Sequence, residues 1–211
     1  MDDKLFVKGE KELYAPKSEP ALINVPPMKF FMIDGQGNPN EAGGAYMQAV
    51  SLLYALSYTV KMSKMGDWQP DGYFEYSVAP LEGLWQMADD VPGVDYEHKE
   101  LFQWTAMIRQ PDFVTEEVYR WALSEALRKK KMDASAVLLK TYDEGRCVQC
   151  MHTGPYDTEP ATVARMEAFM RANGVVGDYK HRRHHELYLK DPNRTAPEKL
   201  KTILRIPVIA S

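Results

Sequence analysis

The sequence predicts an α+β fold in which a β-α-β-β unit occurs twice. Its strands join into a mainly antiparallel sheet, with long helices on one face and a concave ligand groove on the other. Three observations carry that expectation. Apolar residues alternate at period two in several short runs and recur at three- and four-residue spacing in longer ones, the signatures of strands and helices. The order strand, Gly/Pro loop, long helix and two strands runs from Met28 to Ile108 and again from Arg146 to Val208. With 211 residues and 45% hydrophobic content, the chain can bury a sizeable core.

In chain order, residues 1–27 read as a polar arm, because Pro16, Pro20, Pro26 and Pro27 block any long regular element. Met28 to Ile33 is an apolar first strand, stopped by Asp-Gly-Gln-Gly-Asn-Pro. That loop lacks the Gly-Lys-Ser/Thr of a phosphate-binding loop, so its glycines serve a turn. From Glu41 to about Lys64, Val50, Leu53, Ser57 and Val60 fall on one face of a helix. Residues 73–78 alternate like a strand that residues 80–85 continue, with Pro80 and Gly83 marking a bend or bulge. A loop around Asp89 to Asp95 leads to Leu101 to Ile108, whose β-branched and aromatic content favours a strand.

Thr115 caps the next helix, with Glu116 and Glu117 in its first turn and Lys129 to Lys131 at its end, as the helix dipole prefers. Residues 136–142 and 146–152 read as a hairpin across Asp143-Glu144-Gly145. A helix from about Thr158 to Ala172 presents Val163, Met166, Phe169 and Met170, and Asn173-Gly174 ends it. Strands at 184–189 and 200–208 close the chain. Residues 28–211 thus form one domain of two pseudo-repeats, about 28–110 and 146–209, joined by a helix and a strand.

A formal net charge of −4 supplies no basic field for a phosphate backbone, so direct nucleic-acid binding is not expected. No apolar run is long enough to span a bilayer, and the Met-Asp-Asp-Lys start lacks the pattern of a signal peptide, so a soluble, cytoplasmic protein is expected. Cys147 and Cys150 lie three apart on a strand and point to opposite faces, which excludes an unstrained disulfide and favours reduced thiols. No cofactor or metal is expected: the His/Arg run at 181–185 reads as a solvated approach to a strand that sends His184 and His185 apart.

The strand His-His-Glu-Leu-Tyr-Leu at 184–189 carries the chemistry. Alternation puts Glu186 on one face with His184 and Tyr188, and His185, Leu187 and Leu189 on the other. An acid between an aromatic and an imidazole suits a ligand groove. Tyr188, Trp85, Trp104 and Tyr73 are candidate walls, Tyr156 a polar helper, and His152 a further polar group or a structural histidine.

Four segments in order, Pro80-Leu-Glu-Gly-Leu-Trp85, Trp104 to Phe113, His152-Thr-Gly-Pro-Tyr156 and His185-Glu-Leu-Tyr-Leu189, resemble the GyrI-like small-molecule-binding family over about residues 28–209. The resemblance implies the duplicated fold and a central groove with an acid on the penultimate strand, a position that Glu186 matches. It also implies a choice of function. Stand-alone members are associated with hydrolysis of cyclopropanoid DNA-alkylating compounds, a detoxification chemistry to which this chain looks most similar; there Glu186 would activate water. Transcription regulators with this domain bind lipophilic cations, so a non-catalytic aromatic or cationic drug binder is the alternative. A gyrase-interacting module is the third. Monomer and homodimer both remain open.

Overall fold

The strands form a sheet whose order reads the same way from its centre to either edge. The structure is a computed structural model that describes residues 6, 7, 9–66, 68–88 and 98–211; the loop expected around Asp89 to Asp95 lies outside the described residues. In chain order the elements are α1 (Lys11–Tyr14), β1 (Ala21–Val25), β2 (Met28–Gln36), α2 (Ala45–Lys61), β3 (Leu81–Met87), β4 (Phe102–Arg109) and α3 (Glu116–Lys130). There follow β5 (Leu138–Tyr142), β6 (Gly145–Thr153), α4 (Glu159–Ala172), β7 (Val175–Gly177), β8 (His184–Tyr188) and β9 (Lys201–Ala210). The sheet order is β1-β6-β9-β8-β3-β4-β2-β5, with β7 on the far end of β9 and every pairing antiparallel. The triplets β2-β4-β3 and β6-β9-β8 meet along the β3–β8 seam, so the fold is α+β with the expected duplicated unit.

Register fixes the two faces, because directly paired residues share a side. Gly83 pairs with Glu186, Leu81 with Tyr188 and Trp85 with His184, so one face of the seam carries the predicted acid and its aromatics. Leu204, Ile206, Val148 and Cys150 continue that face and pack with Met166 and Met170 of α4. At the other end, Leu53, Leu56 and Val60 of α2 join the larger core, each fully buried and worth about 1.5–3 kcal/mol. The long helices α2 and α4 and Glu186 therefore lie on the same face. This corrects the expected placement of the groove on the side opposite the helices. His185 and Leu187 do not pack under the long helices α2 and α4, because their face has a separate cover.

That cover comes from curl and from the N-terminal segment. Residues 26–27 alone join β1 to β2, and residues 143–144 alone join β5 to β6, although each pair stands near opposite edges of the strand order. A two-residue link reaches only about 10 Å. The sheet must bend until its edges meet, and it bends away from α2 and α4. Asp143-Glu144-Gly145 is consequently no hairpin turn: β5 pairs with β2, and β6 with β1 and β9. Glu144 is carried beneath the sheet, where it meets His185 and Arg205.

Three other expectations need correction. Residues 73–78 form no strand; Tyr73, Phe74 and Tyr76 instead bury their rings against one another, Phe6 and Phe113, so side-chain clustering replaces a backbone ladder. Gly83 sits in uninterrupted register with β4 and β8, without a bulge. The proline-bearing arm contains β1, which pairs with β6 over five residues. Cys147 and Cys150 are buried free thiols, on opposite faces by register. Thr115 caps α3 through a hydrogen bond from the Val118 amide. No described helix is long and apolar enough to cross a membrane.

Candidate functional site

Between α2 and the start of α4, the central seam is left uncovered. Tyr46, Val50 and Tyr54 of α2, Trp85 of β3, Glu186 and Tyr188 of β8, and Tyr156 with Glu159 at the mouth of α4 enclose a cavity of about 1080 Å³ there. Each helix covers its own half of the sheet, and the gap between halves becomes the pocket.

A directed chain of hydrogen bonds holds the acid on its floor. Trp85 Nε1 donates to Tyr188 Oη at 2.8 Å, and Tyr188 Oη donates to Glu186 Oε2 at 2.8 Å. Burial, with the neighbouring Glu186 charge, raises the Tyr188 phenol well above its ordinary range, so it stays protonated and acts as donor. The second carboxylate oxygen, Oε1, lies 3.4 Å from His184 Nε2. Gly83, paired directly with Glu186, makes this arrangement fit: a Cβ there would stand 2.6 Å from Trp85 Nε1 and 3.2 Å from Tyr188 Oη.

The walls are aromatic. Tyr46 meets Trp85 at 5.3 Å between ring centroids, and Tyr156 meets Tyr188 edge-on at 5.7 Å. Burial pushes the Tyr46 hydroxyl up, as it does Tyr156, the latter to about 12. Neither ionises near neutral pH. Flat or lipophilic ligands find stacking surfaces here, and an electrophilic or cationic centre finds a carboxylate.

The family model described as the GyrI-like small molecule binding domain matches residues 18–209. The chain belongs to the GyrI-like family. Two solved structures from Listeria innocua are similar to it along nearly their whole length. One, an uncharacterized conserved protein, is 48% identical with a TM-score of 0.90, covering 97% of this chain and 98% of the other. The second, described as a hydrolase, is 47% identical with a TM-score of 0.87 and the same coverage. The EcmrR C-terminal domain shares the fold at 12% identity and a TM-score of 0.53, over 92% of this chain and 98% of that one. Comparison with curated proteins gives no match.

In this GyrI-like chain the predicted residues separate into two groups. Glu186, Tyr188, Trp85 and Tyr156 come together at the cavity. Trp104 lies one layer beneath, 2% exposed, edge-on to Tyr46 at 5.0 Å and over Gly35, which leaves no room for a side chain. Tyr73 is remote, its hydroxyl bonded to the Lys61 carbonyl at the end of α2. His152 is buried outside the cavity lining, bridging Thr162 Oγ1 at 2.9 Å and the Pro155 carbonyl at 3.1 Å. Its role is to tie β6 to α4.

Sequence reasoning missed Glu159. At the first position of α4 it looks like an acid serving the helix dipole. The fold instead turns it into the groove, where one ligand atom each from Glu159, His184 and Glu186 lies within 4.8 Å of the others. A bridging water or the cationic centre of a ligand can span that distance, and among the described residues this is the grouping whose spacing would also admit a metal ion. The helical pattern from Glu41 to Lys64 likewise gives no sign that Tyr46 and Tyr54 line the cavity.

Proposed function

We propose that this GyrI-like protein hydrolyses cyclopropanoid, DNA-alkylating or related xenobiotic compounds in a detoxification role, with Glu186 activating water. The observation that carries the reading is the Glu186 carboxylate, oriented by Tyr188 and Trp85 on the floor of an aromatic cavity of about 1080 Å³. A strained cyclopropane conjugated to a carbonyl is electrophilic at carbon. To open it, an enzyme needs a base for water and stacking surfaces that hold the carbon in line with that water. Glu186 Oε2 is fixed by the phenol and Oε1 lies 3.4 Å from His184 Nε2, so the carboxylate is oriented at both oxygens within the cavity that it lines, where it can take a proton from water. The 47% identity to a protein described as a hydrolase supports a hydrolytic activity.

A second reading, a non-catalytic binder of lipophilic cations, draws support from the two carboxyl groups, Glu159 and Glu186, that line the same aromatic groove. Mass spectrometry separates the two. A cyclopropanoid alkylator incubated with wild-type protein should give a water-added, ring-opened product over many turnovers, and Glu186→Gln should bind the compound without turning it over. Unchanged compound recovered in stoichiometric complex with wild type would instead make the protein a binder and Glu186 a ligand contact.

A further inference from the structure

Glu159 is the buried ionisable group in the groove that the reading above leaves without a task. It opens α4, is 3% exposed and lines the cavity, yet its Oε1 has no hydrogen-bond partner among the described residues. A helix-capping acid needs no such position. A buried carboxyl oxygen without a partner, on a residue that lines a cavity, is suited to a group that arrives with the ligand.

Its neighbours decide its protonation. From β8 it faces Glu186, His184 and Tyr188; from the segment before α4 it faces Tyr156 and Asp157, and Asp157 is itself paired with Lys99 at 3.5 Å. Burial first, then the Glu186 charge and then that of Asp157, push the Glu159 carboxyl up to about 10. Glu159 therefore holds its proton at neutral pH, within reach of a ligand in the groove.

We propose that Glu159 is a second catalytic residue, the general acid of the ring opening in which Glu186 is the base. The assignment rests on the hydrolytic reading above. Water gives a proton to Glu186 as its oxygen bonds to the strained ring carbon. The cyclopropane C–C bond breaks, and its electron pair moves through the conjugated system to the carbonyl oxygen. That oxygen takes the proton of Glu159. The product is substrate plus one water, leaving Glu186 protonated and Glu159 ionised. Return of the proton between the two carboxyl groups, within 4.8 Å, restores the starting state without an outside reagent.

A graded series of spirocyclopropyl cyclohexadienones, which open to phenols of differing acidity, tests the assignment. Where the product phenol is least acidic, the developing oxyanion most needs a proton, and Glu159→Gln should lower kcat/KM by about 100-fold or more, in the range of general-acid contributions. For the most acidic phenols the loss should shrink to a few-fold. Glu159→Asp should recover part of the rate, and the alkaline limb of the wild-type pH profile should vanish in Glu159→Gln. An equal slowing across the series would mark a merely structural role and overturn the assignment, as would no slowing at all. Wild-type protein that opens none of the series would remove the hydrolytic reading and this assignment together; opening undisturbed in Glu159→Gln would remove only the assignment.

Discussion

His185 Nδ1 lies 2.9 Å from Glu144 Oε1 on the sheet face opposite the groove, with both side chains buried. Arg205 Nη1 reaches the other oxygen of Glu144 at 3.2 Å, and His185 Nε2 makes a 3.0 Å ion-pair contact with Glu82. Burial, the largest single influence, would lower the His185 pKa, but the charges and hydrogen bonds of Glu144 and Glu82 together outweigh it and raise the value to about 9. Burial would raise Glu144, but His185 and Arg205 hold it at about 2. The protonated imidazole is favoured by folding, so its contribution is complete below about pH 6.5, the unfolded value, and is lost as pH rises through about 9. The Glu144 contribution is complete above about pH 4.5 and is lost as pH falls towards about 2. Urea unfolding from pH 5 to 10 should show stability falling on the alkaline side. His185→Ala, which strands a buried carboxylate, should cost about 3–5 kcal/mol and flatten that slope. A wild-type profile already flat between pH 6.5 and 9.5 would refute the charged imidazole.

Gly83→Ala should damage the site more than the fold. The added Cβ meets the Trp85 indole nitrogen at 2.6 Å, a ring atom at 3.1 Å and Tyr188 Oη at 3.2 Å, so the indole must swing away and release the Trp85–Tyr188–Glu186 chain. β3 keeps its ladder on both sides, because alanine adopts extended backbone without strain. Turnover or ligand affinity should fall about 10-fold or more, in keeping with about 1.5 kcal/mol for a hydrogen bond to a charged group. Thermal melting should shift by only a few degrees. Unchanged activity would show that indole placement does not orient Glu186.

What could be read from the sequence was whatever depends on local pattern. Alternation placed Glu186 and Tyr188 on one face of β8 and Leu187 on the other, and the register agrees. Capping at Thr115 and the Asn173-Gly174 stop follow from residue type alone. Properties of the assembled sheet were not legible. Nothing local says that Glu144 crosses beneath the sheet to His185, or that α2 and Glu186 share a face, because both depend on how far the sheet curls. Glu159 was hidden for the opposite reason: the helix dipole already explained an acid at that position. Tyr73 and Trp104 show how little an aromatic residue type says about whether the ring lines a pocket or fills a core.

The N-terminal segment should be required for stability, because it closes the charged layer on the face away from the groove. Arg205 Nη2 donates to the Leu13 carbonyl at 2.6 Å, Gln149 Nε2 to that of Glu12 at 2.7 Å, and Tyr14 Oη to Glu82 Oε1 at 3.2 Å. Arg109 is chelated by Glu10 through both terminal nitrogens. Deleting residues 1–19 removes two hydrogen bonds to buried charged groups, at about 1.5–3 kcal/mol each, so at least about 3 kcal/mol should be lost. For a chain of this size that corresponds to a fall in Tm of about 6 °C or more. Tyr14→Phe alone should cost about 1.5–3 kcal/mol by the same reasoning. A truncated protein melting with the full chain would show that water replaces these bonds without cost.

His152→Ala should weaken the groove from outside it. The imidazole joins the end of β6 to α4 through Thr162 and to the Gly154-Pro155 corner through the Pro155 carbonyl, with Thr158 Oγ1 also 3.3 Å away. Gly154, at φ +132°, gives the corner a backbone conformation that other residues rarely adopt, so the turn relies on this pin. Tyr156 and Glu159 follow directly, and both reach the cavity only because the corner holds its shape. Losing two hydrogen bonds, one of them buried, and leaving Thr162 with only its longer contact to Arg165 should cost about 2–4 kcal/mol. Activity should fall with it, since a displaced Tyr156 no longer packs edge-on to Tyr188. His152→Gln can restore one of the two contacts, and part of both stability and activity should return. Recovery of stability without activity would place the defect in the geometry of the corner, whereas an unaffected rate in His152→Ala would show that the groove's second wall does not depend on it.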